Sequence, residues 1–132
     1  MGMDWHVFAA SVAGAILGSL ADWVFAGVLF HGRYQLHPEV WRTGTSETLK
    51  IGGAQILCLV TSVAFVALAS MLGRVELLGT MTLAAMIWLI APLPLLITNS
   101  LFIKIDPLVT AAHAAGWLVK LLLIAIATAI LI

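Results

Sequence analysis

Asp22 stands in "SLADWVFAGVLF" (residues 19–30), a carboxylate with apolar residues on both sides. An acid at the centre of a lipid-embedded helix costs about 2.5–3.5 kcal/mol to insert, so such a group is expected to face protein or a wet cavity. Candidate partners occur elsewhere. In "HAAGWLVK", His113, Gly116, Trp117 and Lys120 are spaced i, i+3, i+4 and i+7, which is one side of a helix. Asn99 and Gln55 are polar residues in two further apolar runs. At a rise of about 1.5 Å per residue, Asp22 lies about 12 Å, His113 about 9 Å, and Asn99 and Gln55 about 6–8 Å below one common surface. Lys120 lies at about 20 Å, with a stem long enough to climb several ångströms. One polar residue from each of four helices is therefore expected to converge. Asp22 with His113 can hold a proton or cation, or help bind a small solute, with Gln55 in the same layer, while Lys120 and Asn99 set the field around it. The competing reading is that these groups only fix helix packing, at about 0.6 kcal/mol per contact.

Other chemistries find less support. His31, His37 and Glu39 could ligate a metal, but their spacing matches no zinc signature, and no metal is expected. His6 and His113 fall near opposite surfaces, too far apart to hold a haem between them. There is no phosphate-binding glycine loop and no Ser-His-Asp arrangement on a water-facing element, so neither an enzyme nor a cofactor is expected. Cys58, the single cysteine, lies inside an apolar run and reads as a space-filler.

The elements that must carry these residues are membrane helices. Of 132 residues, 63% are hydrophobic and 9% charged, against about 45–50% apolar and about 25% charged in soluble domains. The formal net charge is zero and no basic cluster suggests nucleic acid. Four apolar stretches, about 5–30, 51–72, 77–102 and 107–132, each exceed the length needed to span a bilayer. The expected fold is an all-α, single-domain membrane bundle of four helices in contact with lipid. "MGMDWHVF" holds Asp4 and no Lys or Arg, so the first stretch is expected to be a retained span rather than a signal peptide.

Within the first stretch Ala10, Gly14, Gly18, Asp22 and Ala26 recur every four residues. This stripe, with Gly116 on the fourth helix, predicts close helix packing that turns Asp22 toward a neighbour. Pro92 and Pro94 each remove a backbone donor and predict a kink that frees the carbonyls of Trp88 and Ile90. "SETLK" carries N-cap chemistry at Ser46, and Pro107 suits the first position of a helix. Trp5, Tyr34 and Trp41 read as interfacial aromatics, whereas Trp88 and Trp117 read as packing residues.

Arg33, Arg42, Lys50 and Lys104 fall on the side of the long loop 31–50, against Arg74 alone on the other. The long loop is thus expected in the cytoplasm and both termini away from it. A bundle this small has little interior, so a homo-oligomer is expected, with a second copy burying Gly14 and Gly18 or completing a pathway. The functional reading is a small oligomeric transporter- or channel-like protein. The alternative is a non-catalytic accessory or scaffold protein.

"ILGSLADWVFAGVLFHGRY", "WLIAPLPLLITNSLF" and "AAHAAGWLVKLLLIAIATAIL" resemble the first, third and fourth helices of the small bacterial membrane proteins grouped as domain of unknown function 1761. The shared features are a small-residue first helix, a recurring Trp, Pro, Asn and Phe in the third, and a small-residue fourth helix. Asp22 and the Phe30-His31-Gly32 sequence depart from that pattern. The resemblance implies four spans and a bacterial cytoplasmic membrane, and implies no activity.

Overall fold

The computed structural model describes residues 4–40 and 42–132; the expectation for Trp41 lies outside them. The chain is an all-α bundle, with no strand among the described residues. Four stretches are long and apolar enough to cross a membrane: Trp5–Leu29, Glu47–Met71, Leu77–Phe102 and Pro107–Leu131. At 1.5 Å per residue each reaches about 37 Å, more than the roughly 30 Å hydrocarbon layer, which leaves room for tilt.

The first span is not one uniform helix. Helix α1 (Trp5–Asp22) is capped by Asp4, whose side chain accepts the His6 N–H. At Asp22 the backbone widens into a π-helical turn over Trp23–Leu29, closed by the Phe30 N–H donating to the Phe25 carbonyl. The stretch that follows is partly ordered into a short helix α2 (His31–Gln35) and a 3₁₀ turn (Pro38–Val40). Helix α3 (Glu47–Met71) opens four residues earlier than its apolar run. Ser46 caps it by accepting the Leu49 N–H, and Lys50 pairs with Glu47 in its first turn. It stops at Gly73, which takes φ +62, while Arg74 N–H reaches back to the Ala69 carbonyl. That is the left-handed glycine stop of a Schellman motif.

The third span is two helices, α4 (Leu77–Ile90) and α5 (Pro92–Phe102), separated at Ala91 (φ −125, ψ −69). The kink expected from Pro92 and Pro94 is thus a break, and Pro92 serves as the first residue of a new helix. Helix α6 (Pro107–Leu131) begins at Pro107 under an Asp106 cap that accepts the Leu108 N–H.

Helix α6 is the centre of the bundle. It packs most widely against α1 and α4 and also touches α3 and α5. In its most apolar window 44% of residues are buried, against 11–22% in the other spans. The core joins Phe65 and Ala69 of α3, Ala84 of α4, and Leu121, Ile124 and Ala125 of α6. Trp88 pins α4 to this centre by donating its indole N–H to the Ala114 carbonyl at 2.8 Å.

The small-residue stripe meets its own chain. A Cβ at Gly14 would strike Ser62 Oγ and come within 3.2 Å of Ile124, and one at Gly18 would lie 2.9 Å from Cys58 Sγ. Gly14 and Gly18 are already buried by α3 and α6, so they do not await a second copy. This corrects the expectation that a second copy buries them. Gly116 is less tight: its added Cβ would make ordinary contact with Phe25 at 3.4 Å.

Candidate functional site

Asp22 is the last residue of α1, where the helix begins to widen. Its carboxylate lies 2.6 Å from Lys120 Nζ, forming an ion pair between the first and fourth spans. The Lys120 side chain is 8% exposed and the Asp22 side chain 43%. The pair is therefore sealed on the ammonium side and open on the carboxylate side. The Lys120 Nζ also lies 4.4 Å from the centre of the Trp117 ring, a cation–π contact that further offsets its desolvation.

Gly18 makes this geometry possible. It sits one turn before Asp22, and an added Cβ there would lie 3.1 Å from Lys120 Cγ. The lysine stem runs across the glycine to reach the acid. Helical side chains lean toward the N-terminus of their own helix. For α6 that direction is up toward the long loop, which carries the Lys120 head from its deep Cα to the level of Asp22.

The partnership expected first, Asp22 with His113, is displaced. His113 Nε2 is 2.8 Å from the Tyr34 hydroxyl, and the two rings meet edge-on at 5.5 Å. Asp22 and His113 nonetheless border one cavity of about 260 Å³, with Tyr34, Phe25, Ala112 and Trp117 among its walls. Tyr34, read from sequence as an interfacial aromatic, is instead a half-buried member of this site. Burial pushes its phenol above the ordinary tyrosine range, and the negative charge of Asp22 acts in the same direction. The sequence signal for it was slight: a lone tyrosine in a polar loop, placed only because α2 folds back over α6.

Gln55 and Asn99 are not brought to Asp22. Gln55 accepts a hydrogen bond from Ser19 at the edge of an outward groove between α1 and α3. Asn99 is half-buried near the end of α5, and its side chain joins no hydrogen bond among the described residues. Depth along a helix put both in the right layer, but their angular positions point elsewhere.

In the loop, His37 lies 3.2 Å from Glu39 and 3.8 Å from Asp106, and Arg33 lies 3.7 Å from Asp106. Glu39 is held below the ordinary carboxylate range by a hydrogen bond from its own backbone and by one from His37. His31 turns away to Gln35 at 2.9 Å. No group of three or more His, Cys, Asp or Glu side chains converges among the described residues.

These features define a four-span membrane bundle with an intramembrane ion pair facing a small cavity. The chain belongs to the family described as "Protein of unknown function (DUF1761)", whose model matches residues 9–129. No curated protein and no solved structure matches the chain.

Proposed function

We propose that this is a non-enzymatic, transporter- or channel-like protein that handles a proton or a small weak acid at the Asp22–Lys120 pair. The observation that carries the reading is the asymmetry of that pair: Lys120 is sealed and Asp22 opens to the cavity shared with His113 and Tyr34. Two events release such a pair, namely protonation of the carboxylate or replacement of the carboxylate on the lysine by a solute anion. An inorganic cation would have to compete with an ammonium already 2.6 Å away, so it fits the site less well than the expectation of a cation site allowed. His113 and Tyr34 stand between the pair and the loop and supply groups that can donate and accept a proton. The π turn beginning at Trp23 supports the same reading, because such widenings occur frequently at functional sites.

A second reading, the non-catalytic scaffold, has its own support. Ser62, Cys58 and Trp88 each donate to a backbone carbonyl of another helix, which is packing chemistry. In either reading the chain is proposed to reside in a bacterial cytoplasmic membrane with its termini away from the cytoplasm, on the Lys/Arg distribution. A homo-oligomer is proposed on the outward-facing Ser19–Gln55 pair, which a second copy would remove from lipid.

Reconstitution of the full chain in liposomes loaded with a pH-sensitive dye tests the reading. Flux of protons or acetate that disappears in Asp22→Asn, with the variant still folded, is the expected result. No flux in the wild type, together with loss of assembly in Asp22→Asn, establishes the scaffold instead.

A further inference from the structure

A second cleft, of about 440 Å³, opens beside the ion-pair site at the loop end of the bundle. Arg33, His37 and Lys104 line it from the loops, and Ala26, Val109 and His113 line it from the spans. The charges do not cancel. Asp106 is the only carboxylate among the described residues that line the cleft. One of its oxygens is committed to the Leu108 N–H, and the other lies at 3.7–3.8 Å from both Arg33 and His37. Lys104 has no ion-pair partner among the described residues. The position is equally specific. Ala26 and Val109 belong to the first and fourth spans, whereas Arg33, His37 and Lys104 lie just outside them. The cleft is therefore cationic where headgroups sit and, His113 apart, apolar where acyl chains begin.

The geometry points to a binding site for an anionic phospholipid of the surrounding leaflet. Its phosphate would be held by Arg33 and Lys104, and the start of an acyl chain would lie along Ala26 and Val109. Charge complementarity favours a phosphate, since Arg presents a fork of donors and Lys a mobile point charge. Basic pockets between membrane helices take phosphate-bearing headgroups for this reason. A free phosphate would use the basic side chains alone and leave the apolar wall uncovered. The inference does not depend on transport at Asp22.

The test uses the full chain extracted from vesicles of mixed phosphatidylcholine and phosphatidylglycerol, with retained lipid read by native mass spectrometry. Phosphatidylglycerol enriched over its share of the vesicle is the expected result. Arg33→Gln/Lys104→Gln lowers that preference by about twenty-five-fold, at about fivefold per basic side chain near a membrane surface. Arg42→Gln/Lys50→Gln removes as many charges on the same side but outside the cleft, and leaves the preference in place. Retained lipid matching the vesicle composition overturns the site, as does an equal loss in both double variants. Displacement of phosphatidylglycerol by inorganic phosphate assigns the basic side chains to the free anion and overturns the lipid. Should Arg33→Gln/Lys104→Gln not fold, the wild-type enrichment and the phosphate competition decide the matter between them.

Discussion

The two ends of the bundle use polar side chains in different ways. At the end that holds the termini, Ser11 donates to the Val7 carbonyl, Ser62 to the Ser11 carbonyl and Thr128 to the Ile124 carbonyl. His6 bonds the Leu131 carbonyl there. Each of these partners is backbone, and the one ion pair among the described residues at this end, Arg74 with Glu76 at 3.8 Å, is exposed in the turn between α3 and α4. At the loop end the contacts run between side chains: Lys120 with Asp22, Tyr34 with His113, Ser19 with Gln55, His37 with Asp106. A helix carbonyl does not titrate and cannot turn away without unwinding its helix. A carboxylate, an imidazole or a phenol can do either. The terminal end is thus built to hold one arrangement, and the loop end to permit more than one. The two clefts that His113 lines both lie at the loop end, whereas the cleft at the terminal end is walled by the Arg74–Glu76 turn and the start of α4.

The sharpest way to break this contrast is to remove one member of the ion pair. Lys120→Met leaves Asp22 without its partner inside the bundle. Breaking a buried pair costs about 3–5 kcal/mol, and the half-open Asp22 places the expected loss near the lower end. Replacing both, as Asp22→Leu/Lys120→Met, is expected to return stability to within about 1 kcal/mol of wild type, because apolar replacements need no desolvation. Unfolding in mixed micelles, run as a double-mutant cycle, measures both. A double variant as unstable as the single would make the pair a structural requirement and erase the distinction between the ends.

At the terminal end the matching test is Gly14→Ala. The new methyl displaces Ser62 Oγ from its 2.7 Å bond to the Ser11 carbonyl. A loss of about 1–2 kcal/mol is expected, within the range for overpacking. Ser62→Ala in the same chain relieves the clash and should recover part of it. Gly116→Ala meets only ordinary contact with Phe25 and is expected to stabilise by up to about 1 kcal/mol through helix propensity. Equal losses at Gly14 and Gly116 would show the two ends to be packed alike.

How far the sequence disclosed this arrangement depended on whether a feature is local. The spans were legible because 18 or more apolar residues have few other uses. A kink in the third span was legible because Pro92 and Pro94 each remove a donor, but its extent, a break at Ala91, was not. The Asp22 carboxylate does meet a polar group on another helix, because its cost in lipid constrains every arrangement. Its partner was misordered, since depths measured at Cα ignore the lean of a long side chain toward its helix N-terminus. The π turn has no simple residue signature. Gln55 and Asn99 were misplaced because a polar residue in an apolar run fixes a depth and leaves rotation undetermined. Tyr34 was missed as a site residue because nothing in a twenty-residue loop tells which part folds back. By contrast, the Asp106 cap was available: Asp before Pro107 is a helix-start pattern.

Trp88, near the middle of its span, bridges the division by bonding a backbone carbonyl in the loop half of α6, that of Ala114. Trp88→Phe keeps the aromatic surface and removes the donor. The expected cost is about 0.6–1 kcal/mol, the ordinary worth of such a contact in a membrane bundle. If the contact is packing chemistry, flux in liposomes is unchanged.

The smallest effect is also the most direct probe of the open end. Tyr34 is the only tyrosine in the chain, so tyrosinate absorbance reports its ionisation alone. Burial first, and Asp22 second, raise its pKa above the ordinary 10.0. The sign follows from linkage. Because the folded state holds the proton more tightly than the unfolded state, this contribution to stability is complete below about pH 10. It is lost as the pH rises from there through the folded-state value. The titration in the folded protein should fall above that of the denatured chain. Asp22→Asn should move it back toward 10.0 without abolishing the shift, because the larger cause is burial. A folded-state titration that coincides with the denatured one would place Tyr34 in open water, away from His113. The contact that most distinguishes the loop end from the terminal end would then be absent.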